Sequence, residues 1–579
     1  MVHLLIFNIF YKMHKLNGTI SMLICLLWIV TNSALPQNGT LFKLPIIHLN
    51  DFHARFEETT PQSTTCKPGM LNCIGGFSRL YTAVTKLQTD NPNAIFLNAG
   101  DNFQGTMWYN VHKWNATQYF FNLLPTDAYT IGNHEFDDGI DGLVPFIKSI
   151  KAPVVLANVD DSREPAIQGL YEKSTIITRE NKKIGIIGVI IQEVNLISNT
   201  EKLIFLDEAE SVKAEAEKLK TVDKCDIIIV LSHCGLDIDK EIAANAGPYI
   251  DVIVGGHSHT FLYHGSDLPG PDIPVDDYPV TVTQDNGHQV LIVQASCYTK
   301  YLGFITVYFD VENKLHHWEG NPIYLDQKIA QNQYVNELMV PWKEVVDQVG
   351  KQVLGETKVL LKQTDCSFGD CNIGNFIAEA MVDAWVDKAE EDEWTYAPIA
   401  ILNTGGIRTG IEKGNITYAD LLVAQPFENF IDAIELRGDH LLEVFEYSAA
   451  TIWKTGSVYG FSKMLQTSGI HITFNATLPV GSRVQDLKLR CGKCEVPKYE
   501  PLDKTKYYRI AIVNYLIQGG DGFSMIPDNM RNHVHGSRDI DVLTKYIKKR
   551  SPIIQDQDDR MILVILHLQW TSETAKGSV

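Results

Sequence analysis

Five short clusters in the amino-terminal half gather residue types that hold metals. They are NDFHARF (Asp51, His53), NAGDNFQG (Asp101), GNHEFDDG (Asn133, His134, Asp137), LSHCG (His233) and GGHSHT (His257, His259). Hard oxygen and imidazole donors of this kind, with no thiolate needed, suit zinc, manganese, iron or cobalt. Two carboxylates, one amide oxygen and four imidazoles exceed one tetrahedral site and fit two metals sharing a bridging carboxylate. Two metals about 3.5–4 Å apart acidify a shared water and neutralise phosphate oxygens, which is the chemistry of phosphoryl transfer to water. In GGHSHT the two imidazoles stand at i and i+2, so on extended backbone they face one side.

These clusters need elements to position them. Residues 42–310 alternate short apolar strands with helical stretches such as GFSRLYTAVTKLQTD, an α/β pattern. The strands read as FKLPIIHLND, NAIFLNAGD, DAYTIGNHE, APVVLANVD, KIGIIGVI, CDIIIVLSHCG and IDVIVGGHSH. All except APVVLANVD and KIGIIGVI run directly into a cluster. In open α/β sheets the loops leaving the carboxyl ends of strands collect the chemistry. Asp, Asn and Gly form turns in any protein, but turns do not require histidine. Residues 328–350 are helical in period, with Pro341 as a kink, and the region 326–350 is expected to link two domains. A first domain is expected at 42–325. A second, α+β, is expected at 351–565 and carries CNIGNFIAEAMVDAWV, ILNTGGIRTG and YLIQGGDGFSM, with a polar tail at 566–579.

The chain has 579 residues, 45% of them hydrophobic and 21% charged, which is ordinary for globular domains with sizeable cores. A net charge of −20 gives no support to nucleic-acid or anionic-membrane binding. It leaves room for an anionic substrate, because local metals or arginines override the global field. The run SMLICLLWIVTNSALP behind MHKLNG has the parts of a secretory signal, expected over residues 1–34 with cleavage near Ala34. Met13 would start that signal more neatly than Met1, and an uncleaved membrane anchor is the other reading. Secretion to the cell exterior predicts disulfides. Three close pairs fit local staples: Cys66 with Cys73, Cys366 with Cys371, and Cys491 with Cys494. Cys225 and Cys297 read as buried thiols. Glycan acceptors stand at Asn38, Asn115, Asn415 and Asn475. The apolar run 561–569 is short and a polar tail follows it, so a last strand and no lipid or membrane anchor are expected.

In chain order the clusters give DxH, GD, GNHE, a lone H after a strand and GHSH, an order that resembles the dinuclear metallophosphatase superfamily. The longer stretches LNAGDNFQGTMWY, TIGNHEFDDG and VGGHSHTFLY narrow the likeness to the 5′-nucleotidase family. In the carboxyl half LNTGGIR, QPFENF and NYLIQGGDGFSM resemble that family's nucleotide-binding domain. The resemblance covers roughly residues 42–565. It implies a four-layer α/β/β/α metallophosphatase domain followed by an α+β substrate domain, with a hinge rotation around 328–350. It also implies two divalent metal ions, whose identity stays open among Zn, Mn, Ca and Mg. One would be held by Asp51, His53, Asp101 and His259, the other by Asp101, Asn133, His233 and His257. His134 would face the phosphoryl group, oriented by Asp137, and Asn133 would also touch substrate. Phe427 and Tyr515 would sandwich the base, Asp521 would bind the ribose hydroxyls, and Asn403 and Arg408 would contact base or phosphate.

Two details depart from the family pattern. Vertebrate members carry an arginine just after the cysteine matching Cys366, where this chain has Ser367. Other members place Asn or Gln where His259 stands. Loss of a bidentate phosphate contact weighs against a monophosphate substrate. The expected function is therefore a secreted apyrase that takes ATP and ADP to AMP and so opposes ADP-driven platelet aggregation. A soluble 5′-nucleotidase converting AMP to adenosine is the alternative. A non-catalytic nucleotide scavenger is a third reading, and it would predict missing metal ligands, whereas all seven are present. The expected partner is a nucleotide, ATP, ADP or AMP. The oligomeric state cannot be read from the sequence.

Overall fold

A computed structural model describes residues 41–565 apart from positions 68, 428, 456 and 457. The expected signal at 1–34, the Asn38 acceptor and the tail at 566–579 lie outside the described residues. The chain divides into a large unit, 44–307 with 318–565, and a small one, 41–43 with 308–317. In the small unit the rings of Tyr308 and His317 stack with centroids 4.1 Å apart.

The strands that position the first half of the site are β1 (Phe42–Leu49), β2 (Ile95–Asn98), β3 (Ala128–Tyr129), β4 (Lys182–Ile190), β5 (Ile227–His233), β6 (Val252–Val254) and β7 (Gln289–Val293). They belong to two six-stranded sheets. In one, β1, β2 and β3 run parallel, with Ile46 opposite Ile95 and Leu97 opposite Ala128. In the other, β4, β5, β6 and β7 run parallel, with Ile184 opposite Ile227 and Val252 opposite both Ile229 and Leu291. Every residue of β5 is buried. A strand covered on both faces reads as an unbroken apolar run, as Ile227–Leu231 does.

The stretch APVVLANVD departs from the expected strand. Only Val159–Asp160 is strand, joined by isolated bridges from Tyr129 to Val154 and from Val155 to Glu172. Pro153 has no N–H to give a ladder. The Asn158 side chain takes over instead, donating to the Ile190 carbonyl at 2.7 Å and accepting from the Ile190 N–H at 3.1 Å. Side-chain bonding of this kind competes with a regular ladder.

In the second half the strands β8 (Ile399–Asn403), β9 (Phe430–Arg437), β10 (Leu465–Ser468), β11 (Tyr507–Val513) and β12 (Arg531–Arg538) form a sheet in the order β10-β8-β11-β9-β12. Between the halves runs helix α1 (Gln333–Gly350) with Pro341 inside it. It starts later than the periodicity suggests because the Asn332 side chain accepts from the Val335 N–H at 3.1 Å, a cap that fixes the first turn. The helix packs on the first half: Trp342 meets His112 with ring centroids 4.9 Å apart, and Lys343 pairs with Glu57.

A final strand covers Met561–Val564, beside Ile470–Asn475. The three expected disulfides are formed, with Cα separations of 5.9, 4.8 and 5.9 Å, and Cys225, Cys234 and Cys297 are buried free thiols. Among the described residues no helix is long and apolar enough to cross a membrane.

Candidate active site

The carboxyl ends of the parallel strands converge, and the backbone leaving them is bent into unusual shapes. Asp51, His53, Asp101, His257 and His259 all have positive φ, from 49° to 73°. Such left-handed turns are costly for residues other than glycine and persist where the surroundings enforce them, most often at functional sites. The enforcement is visible at Asp51–His53. Phe52, between the two polar residues, is fully buried with its ring 5.0 Å from those of Phe56 and Phe121. The aromatic residue locks into the core while its neighbours turn the other way. At Gly132 any side chain is excluded, since a Cβ would stand 2.3 Å from an Asp101 carboxylate oxygen.

Glu135 organises the same region. Its carboxylate accepts from the backbone N–H groups of Asp101, Asn102, Phe103 and Gly132 at 2.6–3.1 Å. Burial and the Asp101 charge push its pKa up to about 7, and these backbone donors act against that rise. Sequence reasoning gave Glu135 no role. The one available signal was an acidic residue three positions after Gly132, the spacing of a capping box. Asn50 was missed as well, and nothing in the sequence marked it. It donates to Asp51 Oδ2 at 2.6 Å and accepts from the Ala295 N–H at 3.0 Å, tying the two sheets' loops together.

Two overlapping groups of donor atoms result. Asp51, His53, Asp101 and His259 form one, and Asp101, His233 and His257 the other; in each, the ligand atoms lie within 4.8 Å of one another. Asp101 is common to both. Asn133 joins the second, with its Oδ1 at 2.8 Å from His257 Nδ1 and 3.3 Å from His233 Nε2. In the first, His259 Nε2 lies 3.0 Å from His53 Nε2 and 3.2 Å from Asp51 Oδ1.

The donor set fits cations. His233 Nδ1 donates to the Ala99 carbonyl at 2.6 Å, which leaves Nε2 as an acceptor facing Asp101 Oδ2 at 3.2 Å and the Asn133 oxygen. Three acceptors pointing at one another need a positive charge between them. Burial opposes a charge on His233, but Asp101 outweighs it and lifts the imidazole to about 9, so these groups favour a positive charge at that place. Burial and the His233 charge hold His257 near 4, and burial keeps His53 well below the usual imidazole range. Both are thus neutral donors.

His134 sits beside this cluster. Its Nδ1 bonds Asp137 Oδ2 at 2.8 Å, and its Nε2 is 4.0 Å from Asp101 Oδ2. Burial opposes protonation, yet Asp137 and Asp101 together hold it above the usual imidazole range. His134 and Asp137 line a cavity of about 780 Å³, as do Asn403, Arg408, Phe427, Tyr515 and Asp521 from the second half. The Phe427 ring stacks on His134 with centroids 5.6 Å apart, and Arg408 Nη2 reaches within 3.4 Å of His53 Nε2. Asp521 is held by the Tyr515 hydroxyl at 2.8 Å and the Asn403 amide at 2.9 Å. Every site residue expected from the sequence therefore falls in one cluster or along one cavity. Ser367 does not line it; its carbonyl accepts from the Phe461 N–H at 2.9 Å. Among the described residues lining the cavity, Arg408 is the arginine and Lys113 the lysine.

Comparison with known proteins agrees with this arrangement. The family model for calcineurin-like phosphoesterase matches residues 44–261, and that for the 5′-nucleotidase, C-terminal domain, matches residues 353–528. The chain is 48% identical over 523 residues to an apyrase of Tabanus yao, covering 90% of this chain and 94% of that one. It is 41% identical over 562 residues to a 5′-nucleotidase-related protein of Glossina morsitans morsitans, covering 95% and 100%. The crystal structure of a 5′-nucleotidase precursor from Thermus thermophilus superposes with a TM-score of 0.81 at 31% identity, over 90% of this chain and 99% of that one. The chain belongs to the 5′-nucleotidase family of calcineurin-like phosphoesterases and is a two-metal nucleotide phosphohydrolase.

Proposed function

We propose that the chain is an apyrase, removing terminal phosphates from ATP and ADP and stopping at AMP. The observation that carries the reading is the single arginine along the described cavity lining, Arg408, with Ser367 outside that lining. One arginine gives an AMP phosphate few charged contacts, whereas the extra phosphates of ADP and ATP offer more oxygens to the same groups. The likeness to the Tabanus yao apyrase points the same way.

In this reading Asp51, His53, Asp101 and His259 would hold one divalent ion, and Asp101, Asn133, His233 and His257 the other. When bound, the ions supply Lewis acidity toward phosphate oxygens and acidify water at neutral pH. His134 turns its Nε2 to the phosphoryl group because Asp137 holds Nδ1. Held above the usual imidazole range by Asp137 and Asp101 against burial, it can, when protonated, donate to the leaving oxygen. Arg408 adds fixed positive charge. Phe427 and Tyr515 stack the base, which tolerates different bases. Asp521, fixed by Tyr515 and Asn403, accepts from ribose hydroxyls. A leader at 1–34 would send the product outside the cell, where removal of ADP would oppose platelet aggregation.

The test is phosphate release from ATP, ADP and AMP in turn, with divalent metal and then with chelator. Release from ATP and ADP but not from AMP, abolished by chelator, is expected. Release from AMP alone would replace the apyrase by a 5′-nucleotidase. Binding without turnover would make the chain a scavenger.

A further inference from the structure

A second group of metal-binding side chains stands on other elements. Asp432 lies on β9, and His533 and His535 lie on β12, the edge strand beside it. His533 Nε2 is 2.6 Å and His535 Nδ1 3.4 Å from Asp432 Oδ2. The two imidazole rings are 4.4 Å apart, and all three ligand atoms lie within 4.8 Å of one another.

The backbone is shaped to make this meeting. His533 and His535 are two apart on a strand and so share a face. Pairing runs from Ala433 opposite Val534 to Ile431 opposite Ser537, so β12 carries one residue more than β9 across that step. This bulge re-aims the strand. Gly536 occupies it, since a Cβ there would stand 1.7 Å from the Ile431 carbonyl oxygen. The Gly536 N–H in turn donates to Asp432 Oδ1 at 2.9 Å, leaving Oδ2 for the imidazoles. A buried carboxylate oriented by a backbone donor is the support that metal ligands usually receive. Asp432 is 1% exposed while the His535 side chain is 84% exposed, so the group opens to solvent on one side. The neighbouring charges are engaged elsewhere: Arg531 pairs with Glu435 at 2.8 Å and Arg538 with Asp541 at 3.1 Å.

We infer that Asp432, His533 and His535 form a third, surface metal site for a divalent transition ion. Two imidazoles and one carboxylate match zinc, nickel or copper, with water completing the coordination. Magnesium and calcium prefer all-oxygen shells and are excluded by the two imidazoles. An ion there would clamp β12 to β9 just after the loop that carries Phe427.

Equilibrium dialysis of the full chain against micromolar zinc, with bound metal counted by atomic absorption, tests this. The wild type is expected to hold one ion more per chain than His535→Gln, and one more than the double variant His533→Gln with His535→Gln. The exposed His535 position puts no burden on folding, and phosphate release by His535→Gln should match wild type. Dialysis against magnesium should show no difference between wild type and variant. Equal zinc counts in wild type and both variants would overturn the site. The readout is a difference in ion count, so it stands whether or not the nucleotide reading holds.

Discussion

His134 shows how a residue's role depends on what surrounds it. It adjoins the candidate ligand Asn133, yet its Nδ1 is committed to Asp137 at 2.8 Å and its ring lies against Phe427. His134→Ala should therefore lower kcat by about 10²–10⁴, the usual worth of a positioned general acid, with metal content unchanged. Metal analysis of the purified variant checks this, and loss of an ion would make His134 a ligand instead. His259 lends itself to a subtler test. Its imidazole lies 3.0 Å from that of His53. His259→Gln should shift activity away from zinc toward harder ions such as manganese and magnesium, since an amide oxygen is the harder donor. Activity measured across metals reads it, and an unchanged profile would remove the idea. At this scale the sequence was most legible, because a histidine following a strand has no turn-forming reason to be there. Asn50 was not legible, because its partners at Ala295 and Ser296 lie on a distant loop, and the spacing at Glu135 pointed to Gly132 alone and not to the donors at Asp101, Asn102 and Phe103.

The elements beneath these residues were legible where one rule decided them. Ile227–Leu231 had to be a doubly covered strand, and it is. The stretch 152–160 was misread because its apolar residues look the same whether the ladder is filled by a strand or by the Asn158 side chain. Behind β5 lies another feature that an apolar pattern cannot announce. Asp239, in the helix Leu236–Asn245, accepts from Ser232 Oγ at 2.5 Å, while its other oxygen is buried without a hydrogen-bond partner. Burial pushes its pKa from 3.8 to about 7. Between those values the unfolded chain releases the proton and the folded chain keeps it, so Asp239 costs stability as pH rises from about 4 to about 7 and holds that cost above. Asp239→Asn should match the wild type in stability near pH 4, gain on it progressively up to about pH 7 and keep that gain above. The full displacement corresponds to a gain on the order of 4 kcal/mol as an upper figure. Denaturant midpoints of both proteins across that range check the sign, and a gain that shrinks with pH would refute it.

The whole molecule couples the metal cluster to the rest of the fold through a continuous core. One cluster of buried apolar residues runs from Phe52, Phe56 and Trp108 through Met339 and Val346 of α1 to Leu421, Ile431 and Trp385. Polar contacts reinforce the join: Thr64 donates to Glu412 at 2.8 Å, and Lys67 to the Asn415 carbonyl at 2.7 Å. The sequence indicated a helix between two halves but could not show this shared core, because α1's partners lie far away along the chain. A consequence follows for metal removal. Ions that bind the folded chain alone stabilise it by mass action, about 4 kcal/mol at a thousand times Kd. If the halves unfold as one body, chelation should lower a single calorimetric transition without splitting it, and excess zinc or manganese should restore it. The domain that supplies no ligands would then melt with the one that does. Two transitions, of which only the earlier responds to metal, would mean that α1 is a joint between independent bodies and that the shared apolar contacts are too weak to bind their stabilities together.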